Sequence, residues 1–233
     1  MNSFLALTTA LRIPHLLIGL AVGVLSSPTL RLTRAHESPT TTPHAASAEA
    51  SVNPPAGWKW DRPVPEHAEQ RDGAIELRTE SGKIWAGEGN RNRLMTAEPV
   101  ETGDTVTAEI ELLDAVGKWE QCGLLLHQHD DAFVKLVVEH IDGMHYVVMA
   151  WERPNGRRVL AQIEIPQPRA QLKLEVGEDS VSGYWRLDES ASWQRASESD
   201  FPGDGEHRFG IFTQDGDSDR PRWARVRDLR LEQ

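Results

Sequence analysis

The stretch Glu120–Trp151, EQCGLLLHQHDDAFVKLVVEHIDGMHYVVMAW, confines the chain to antiparallel β-structure. Apolar residues alternate through Gln121–His127, and Phe133–His140 is rich in β-branched and apolar side chains. Asp142-Gly143 is the dipeptide that favours a two-residue type I′ hairpin turn. Such a turn pairs Ile141 with Met144 and fixes the register of three consecutive strands. One face then carries Cys122, Leu124, Leu126, Val134, Leu136, Val138, Val147 and Met149, which reads as a core. The other face carries Gln121, Gly123, Leu125, His127, Phe133, Lys135, Val137, Glu139, Tyr146 and Val148. A carboxylate and an ammonium project from the middle of that second face, which marks it as a candidate binding surface.

Beyond the meander the texture is the same. Short alternating runs follow one another from Trp58 to the C-terminus, separated by Asp72-Gly73, Ser81-Gly82, Pro154-Asn155-Gly156, Pro202-Gly203 and Asp215-Gly216. Thr105–Leu112 shows the pattern in small, with Val106, Ala108, Ile110 and Leu112 facing in. The phase changes across Arg227-Asp228, which predicts a bulge. No segment keeps a helical period for three turns, and no internal repeat of propeller type is present. The expected fold is all-β, a two-sheet antiparallel jelly-roll sandwich over residues 58–233.

The residues before it read differently. Arg12 precedes the apolar run Leu16–Leu25, which suits a signal-peptide core and is short for a membrane span. Ser26-Ser27 is small enough for cleavage but Pro28 follows, so residues 1–27 are read as a signal peptide or a membrane anchor, with a mis-assigned start as the bland alternative. Residues 28–57 are dominated by Pro, Thr, Ser and Ala and are expected to form a disordered linker. A secreted or membrane-anchored protein facing outside is expected from this N-terminus alone. Cys122, the single cysteine, reads as a small buried hydrophobe. A net charge of −11 excludes nucleic acid as a partner, because phosphate binding needs a basic face.

Several stretches resemble a known family. GWKWDRP, DGAIELRT, GKIW with GNRNRLMT, and WEQCGLLLHQHDDAFVKLVVE are similar, in that order, to the concanavalin A-like sandwich at the C-terminus of family 43 β-xylosidases. They are similar as well to bacterial regulation-of-enolase domains. Asn92–Leu94 and Gln121–Leu124 are the most specific pieces. The resemblance implies two curved sheets that accompany carbohydrate-active enzymes, and it implies no catalytic residue.

An indole face stacks on the apolar face of a pyranose, so the eight tryptophans invite a sugar-binding reading. Most are expected to fill the core, with Trp85 and Trp119 as candidate exposed platforms. The ligand site is expected on the outward face of the meander, at Gln121, Lys135, Glu139 and Tyr146, over a floor of Leu125, Val137 and Val148. On the inferred register Glu139 lies opposite both Gln121 and Tyr146. The competing reading is a structural Lys135–Glu139 pair under a covering loop.

No metal and no cofactor is expected. Asp215–Asp219 alternates carboxylates but lacks the glycine and glutamate that a calcium loop needs further on, and His127–Asp131 offers candidate ligands with no third, well-spaced ligand group evident. Glu109 and Glu111 share a strand face, but the spacing of a laminarinase-type catalytic set is absent. The sequence therefore favours a non-catalytic saccharide- or polysaccharide-binding module. The alternative is a glycoside hydrolase or lyase whose acid–base pair no motif announces.

Overall fold

The structure, a computed structural model, describes residues 52–81, 84–85, 90–214, 220 and 222–233. The leader, the linker up to residue 51 and the acidic Asp215–Asp219 turn lie outside the described residues.

Among the described residues the chain forms fourteen strands in two seven-stranded sheets. In spatial order the first sheet is β1 (Trp58–Asp61), β4 (Arg93–Thr96), β13 (Arg208–Gln214), β6 (Glu120–His129), β7 (Ala132–Ile141), β8 (Met144–Arg153) and β9 (Gly156–Ile165). The second is β12 (Gln194–Asp200), β11 (Ser180–Arg186), β10 (Arg169–Val176), β5 (Thr105–Leu113), β14 (Trp223–Glu232), β3 (Ala74–Arg78) and β2 (Ala68–Arg71). Every neighbouring pair is antiparallel. Among the described residues no helix is long and apolar enough to cross a membrane.

The central meander adopts the inferred register. Asp142 and Gly143 both take positive φ, 50° and 88°, as a type I′ turn requires. Ile141 then pairs with Met144, His140 with His145, and Glu139 with both Tyr146 and Gln121. The core-facing set from Cys122 to Met149 is fully buried, and packs against Val106, Ile110, Leu172 and Leu174 of the second sheet. Burying each large apolar side chain there contributes roughly 1.5–3 kcal/mol. The bulge expected in β14 is present, with the register shifting between Arg227 and Arg230 and Asp228 at φ 49°.

Two features depart from the sequence reading. β2 escaped it, because AEQR is a polar edge strand with no alternation to detect. Val52, read as linker, is buried in the core, and its carbonyl accepts a 2.7 Å hydrogen bond from Trp60 Nε1. A lone valine among Pro and Ala carries no period, so the packed residues begin earlier than Trp58.

Candidate functional site

Strand alternation gives the first sheet a second, outward face, and this face has three zones. In the middle Leu125, Phe133, Val137, Val148 and Phe212 form an apolar cluster of their own, closed by Ile84 from the β3–β4 connection. Ile84 N–H donates to Gln214 Oε1 at 2.9 Å, which ties that connection to the end of β13. Gly123 sits in this layer because a Cβ there would strike the Leu136 carbonyl oxygen and the Val137 Cα. That is the physical content of the Gln-x-Gly-Leu piece at Gln121–Leu124.

At one end lies an ion network. Arg93 is 2% exposed, and its guanidinium donates to Asp61 at 2.8 Å, Asp130 at 2.9 Å and His127 Nε2 at 3.1 Å. A guanidinium only donates, so His127 Nε2 accepts and the ring is neutral. Burial and the Arg93 charge push the His127 pKa down to about 4. Burial alone would raise the Asp130 carboxyl, but the hydrogen bond from Arg62 and the charge of Arg93 hold it below its usual range. The preceding Asn92 stands at φ 55° and binds the His67 carbonyl at 2.8 Å, while Leu94 enters the core. Asn-x-Leu at Asn92–Leu94 is thus a turn clasp, a buried cation and a core residue in succession.

The other end carries the predicted site residues. Lys135 Nζ donates to Gln121 Oε1 at 2.6 Å, and Gln121 Nε2 donates to Glu139 Oε1 at 2.8 Å and to the Trp119 carbonyl at 3.0 Å. Gln121 therefore mediates between the two charges and is oriented by both. These three side chains, expected on an open face, are 1–6% exposed. The Trp85 ring packs on Phe133 at 5.6 Å between centroids and lies 4.5 Å from Lys135 Nζ. Its π face balances part of the buried ammonium charge. Trp85 is consequently a half-buried wall rather than the exposed platform expected. Trp119 is the exposed platform: it is 51% exposed and stands at φ 63°, held by its N–H to the His140 carbonyl at 2.8 Å.

Trp85, Trp119, Gln121, Lys135 and Glu139 line one cavity of about 380 Å³. This lies within the usual range for small-ligand sites. Tyr146, the sixth candidate, faces the same side opposite Glu139 but packs against the apolar cluster instead of lining the cavity. Four further polar residues line it, Arg157, Arg158 and Gln162 from β9 and Gln214 from β13, with Ile141 and Val159 beside them. Sequence reasoning missed the β9 contribution, although the Pro154-Asn155-Gly156 turn was the signal that β9 returns beside β8. Of the expected floor only Val148 lines the cavity among the described residues, while Leu125 and Val137 lie in the apolar cluster.

Glu139 is the one carboxylate lining this cavity among the described residues. Glu109 and Glu111 lie on the outward face of the second sheet, engaged by Arg227 and Arg225 at 3.2–3.5 Å. Among the described residues no three His, Cys, Asp or Glu side chains are grouped to hold a metal ion. A larger cavity of about 580 Å³ lies elsewhere, lined by Glu101, Asp179, Asp200, Asp204 and His207 and by no tryptophan.

No protein-family model matches the sequence, and no curated protein matches it. Solved structures do. The family 43 glycoside hydrolase BlXynB of Bacillus licheniformis is similar over 75% of this chain and 36% of its own, at 16% identity and a TM-score of 0.65. The xylan β-1,4-xylosidase of Bacillus halodurans is similar over 76% and 37%, at 16% identity and a TM-score of 0.64. A functionally unknown protein of Saccharomyces cerevisiae matches over 77% of this chain and 98% of its own, at 12% identity and a TM-score of 0.60. The chain thus spans little more than a third of either glycoside hydrolase. These likenesses show the fold, a concanavalin A-like β-sandwich of the kind found in family 43 xylosidases. The likeness to regulation-of-enolase domains rests on the sequence alone.

Proposed function

We propose that the sandwich is a non-catalytic saccharide-binding module and that its site is the cavity on the outward face of the first sheet. The observation that carries this is Trp119. A bulky side chain at positive φ is strained, and such strain persists where the surroundings impose it, often at a functional position. Here the strained backbone presents half an indole to solvent at the mouth of a cavity. Inside are an amide, an ammonium and a carboxylate, all oriented by one another, over an aliphatic side. Saccharide sites combine those groups: a ring to stack on, and fixed donors and acceptors for hydroxyls. Its fold also occurs in xylan-active enzymes, which makes oligosaccharides the first class to test.

Among the described residues a single carboxylate lines the cavity, which supports binding over hydrolysis, since glycoside hydrolysis generally uses two carboxyls flanking the scissile bond. The decisive experiment titrates the full chain calorimetrically with a panel of neutral and acidic oligosaccharides. Saturable binding is expected, lost in Trp119→Ala with the fold intact. Sugar release from any of them overturns the non-catalytic reading, and absence of binding to all of them overturns the module.

The reading extends to export, supported by the apolar Leu16–Leu25 run and the Pro/Thr-rich segment behind it. The module then works at the cell surface or envelope. Fractionation of cells making the full chain is expected to recover it outside the cytoplasm or with membranes. Recovery wholly in the cytosol with an intact N-terminus refutes this.

A further inference from the structure

We infer that the saccharide taken by this site is acidic, a chain bearing hexuronate carboxylates; the inference rests on the saccharide-binding reading above. Lys and Arg are outnumbered 25 to 36 by Asp and Glu in the whole chain. In the cavity the balance reverses, with Lys135, Arg157 and Arg158 against Glu139 alone among the described residues. The molecule supplies its own control. The 580 Å³ cavity is lined by four carboxylates and by neither Lys nor Arg, which is what the chain's overall charge leads one to expect. Among the described residues the tryptophan-lined cavity has the opposite balance.

The position of the cations adds a direction. Lys135 is held deep, on Gln121 and against the Trp85 ring. Arg157 lines the cavity from β9, 5.7 Å from the same ring centroid. Both Arg157 and Arg158 are exposed, and neither forms an ion pair with a described residue. The carboxylates nearest Arg157 and Tyr146 by register, Glu152 and Glu164, do not line the cavity. A guanidinium at a mouth, fixed by an aromatic ring and facing a ligand space, is suited to fork onto a planar carboxylate with two parallel hydrogen bonds. The pyranose ring then lies against Trp119, and its hydroxyls meet Gln121 and Glu139. A neutral saccharide offers the guanidinium hydroxyl oxygens but no charge to meet. The alternative role for these arginines is to guard β9, an edge strand whose unpaired backbone invites association.

The test uses the full chain and matched probes: oligomers of glucuronate, galacturonate and mannuronate, each beside its own carboxyl-reduced, neutral form. For the best pair, the acidic oligomer is expected to bind about tenfold tighter than the reduced one, the worth of a charge-assisted hydrogen bond. That preference should shrink as salt is raised. Arg157→Gln should cut it to about twofold or less, because it weakens the acidic oligomer more than the reduced one. Equal binding of the two forms overturns the acidic ligand and leaves the saccharide reading standing. No binding of any probe, in either form, overturns the saccharide reading itself when the neutral panel also fails. A preference that survives both Arg157→Gln and Arg158→Gln assigns the arginines to guarding the sheet edge and overturns this inference.

Discussion

The two outward faces of the sandwich are built on opposite principles. The second sheet turns Glu109, Glu111, Arg225 and Arg227 outward in a ladder of ion pairs with Glu76, at 2.6–3.5 Å. Glu76 is itself buried, at 2% exposed, but the partners around it are partly exposed, and pairs between such side chains contribute little each, about 0–1 kcal/mol. The first sheet turns leucine, valine and phenylalanine outward and covers them with Ile84 and Trp85. It also buries a lysine, a glutamate and an arginine, whose desolvation costs several kcal/mol per charge before any partner is found. A sandwich needs only one apolar face per sheet. The second sheet shows what suffices for the fold, so the excess on the first sheet is where function is to be sought.

The comparison breaks most directly at Phe133. If the outward cluster is a second core, Phe133→Ala should cost about 3–5 kcal/mol in urea unfolding, as a buried phenylalanine does. Thr107→Ala on the outward face of the second sheet should cost less than about 1 kcal/mol. Comparable small losses at both positions would mean that the cover over the first sheet is loose.

Next in size is a pH effect confined to the first sheet. The folded His127 pKa of about 4 lies below the unfolded value of 6.5. Between those values the unfolded chain takes up a proton that the folded ring refuses, so stability present above pH 6.5 is lost as pH falls towards 4. The full loss from this ring is roughly 3 kcal/mol. Burial and the Arg93 charge lower the ring's pKa, against the opposing pull of the Asp130 and Asp61 carboxylates. His127→Gln should flatten the acid limb of a stability–pH curve. An unchanged limb would show that the ring is open to protonation in the folded state.

What the sequence disclosed follows the range of the forces involved. Register was legible because Asp142-Gly143 permits only one short hairpin, and alternation then assigned each side chain of the meander to a face. Gln121, Lys135 and Glu139 were found by that local rule alone. What lay on top of the face was not legible, since Ile84 arrives from a distant connection and no period announces it. Trp85 illustrates the limit: an exposed ring was expected, but it packs on Phe133 and beside the Lys135 charge. Tyr146 shows another, as shared face and correct register did not bring its ring to the cavity. β9 required knowing which strand flanks β8, and the turn at Pro154–Gly156 did hold that information.

A smaller difference separates two glutamates. Glu139→Gln keeps an acceptor for Gln121 but removes a buried negative charge near Lys135, and should cost about 2 kcal/mol. Glu111→Gln, in the half-exposed ladder, should cost under about 1 kcal/mol. Equal costs would remove the electrostatic distinction between the faces and with it the argument that the buried triad is maintained for a ligand.

The smallest expected stability effect is also the most specific, and it concerns the strained tryptophan. Trp119 and an alanine in its place both hold a Cβ at φ 63°, a conformation that costs an L-residue about 1–2 kcal/mol relative to glycine. Trp119→Gly should therefore be more stable than Trp119→Ala by roughly 1 kcal/mol, the remainder being offset by the greater freedom of glycine in the unfolded chain. Both variants lose the ring, so both should lose saccharide binding to the same extent. Loss of binding that follows stability instead, milder in glycine than in alanine, would mean that the ring supports the loop and does not touch the ligand. Identical stabilities would mean that the backbone relaxes out of the left-handed region once the indole is gone. The indole would then be the cause of the strain, and its imposed conformation could no longer be read as a sign of a site.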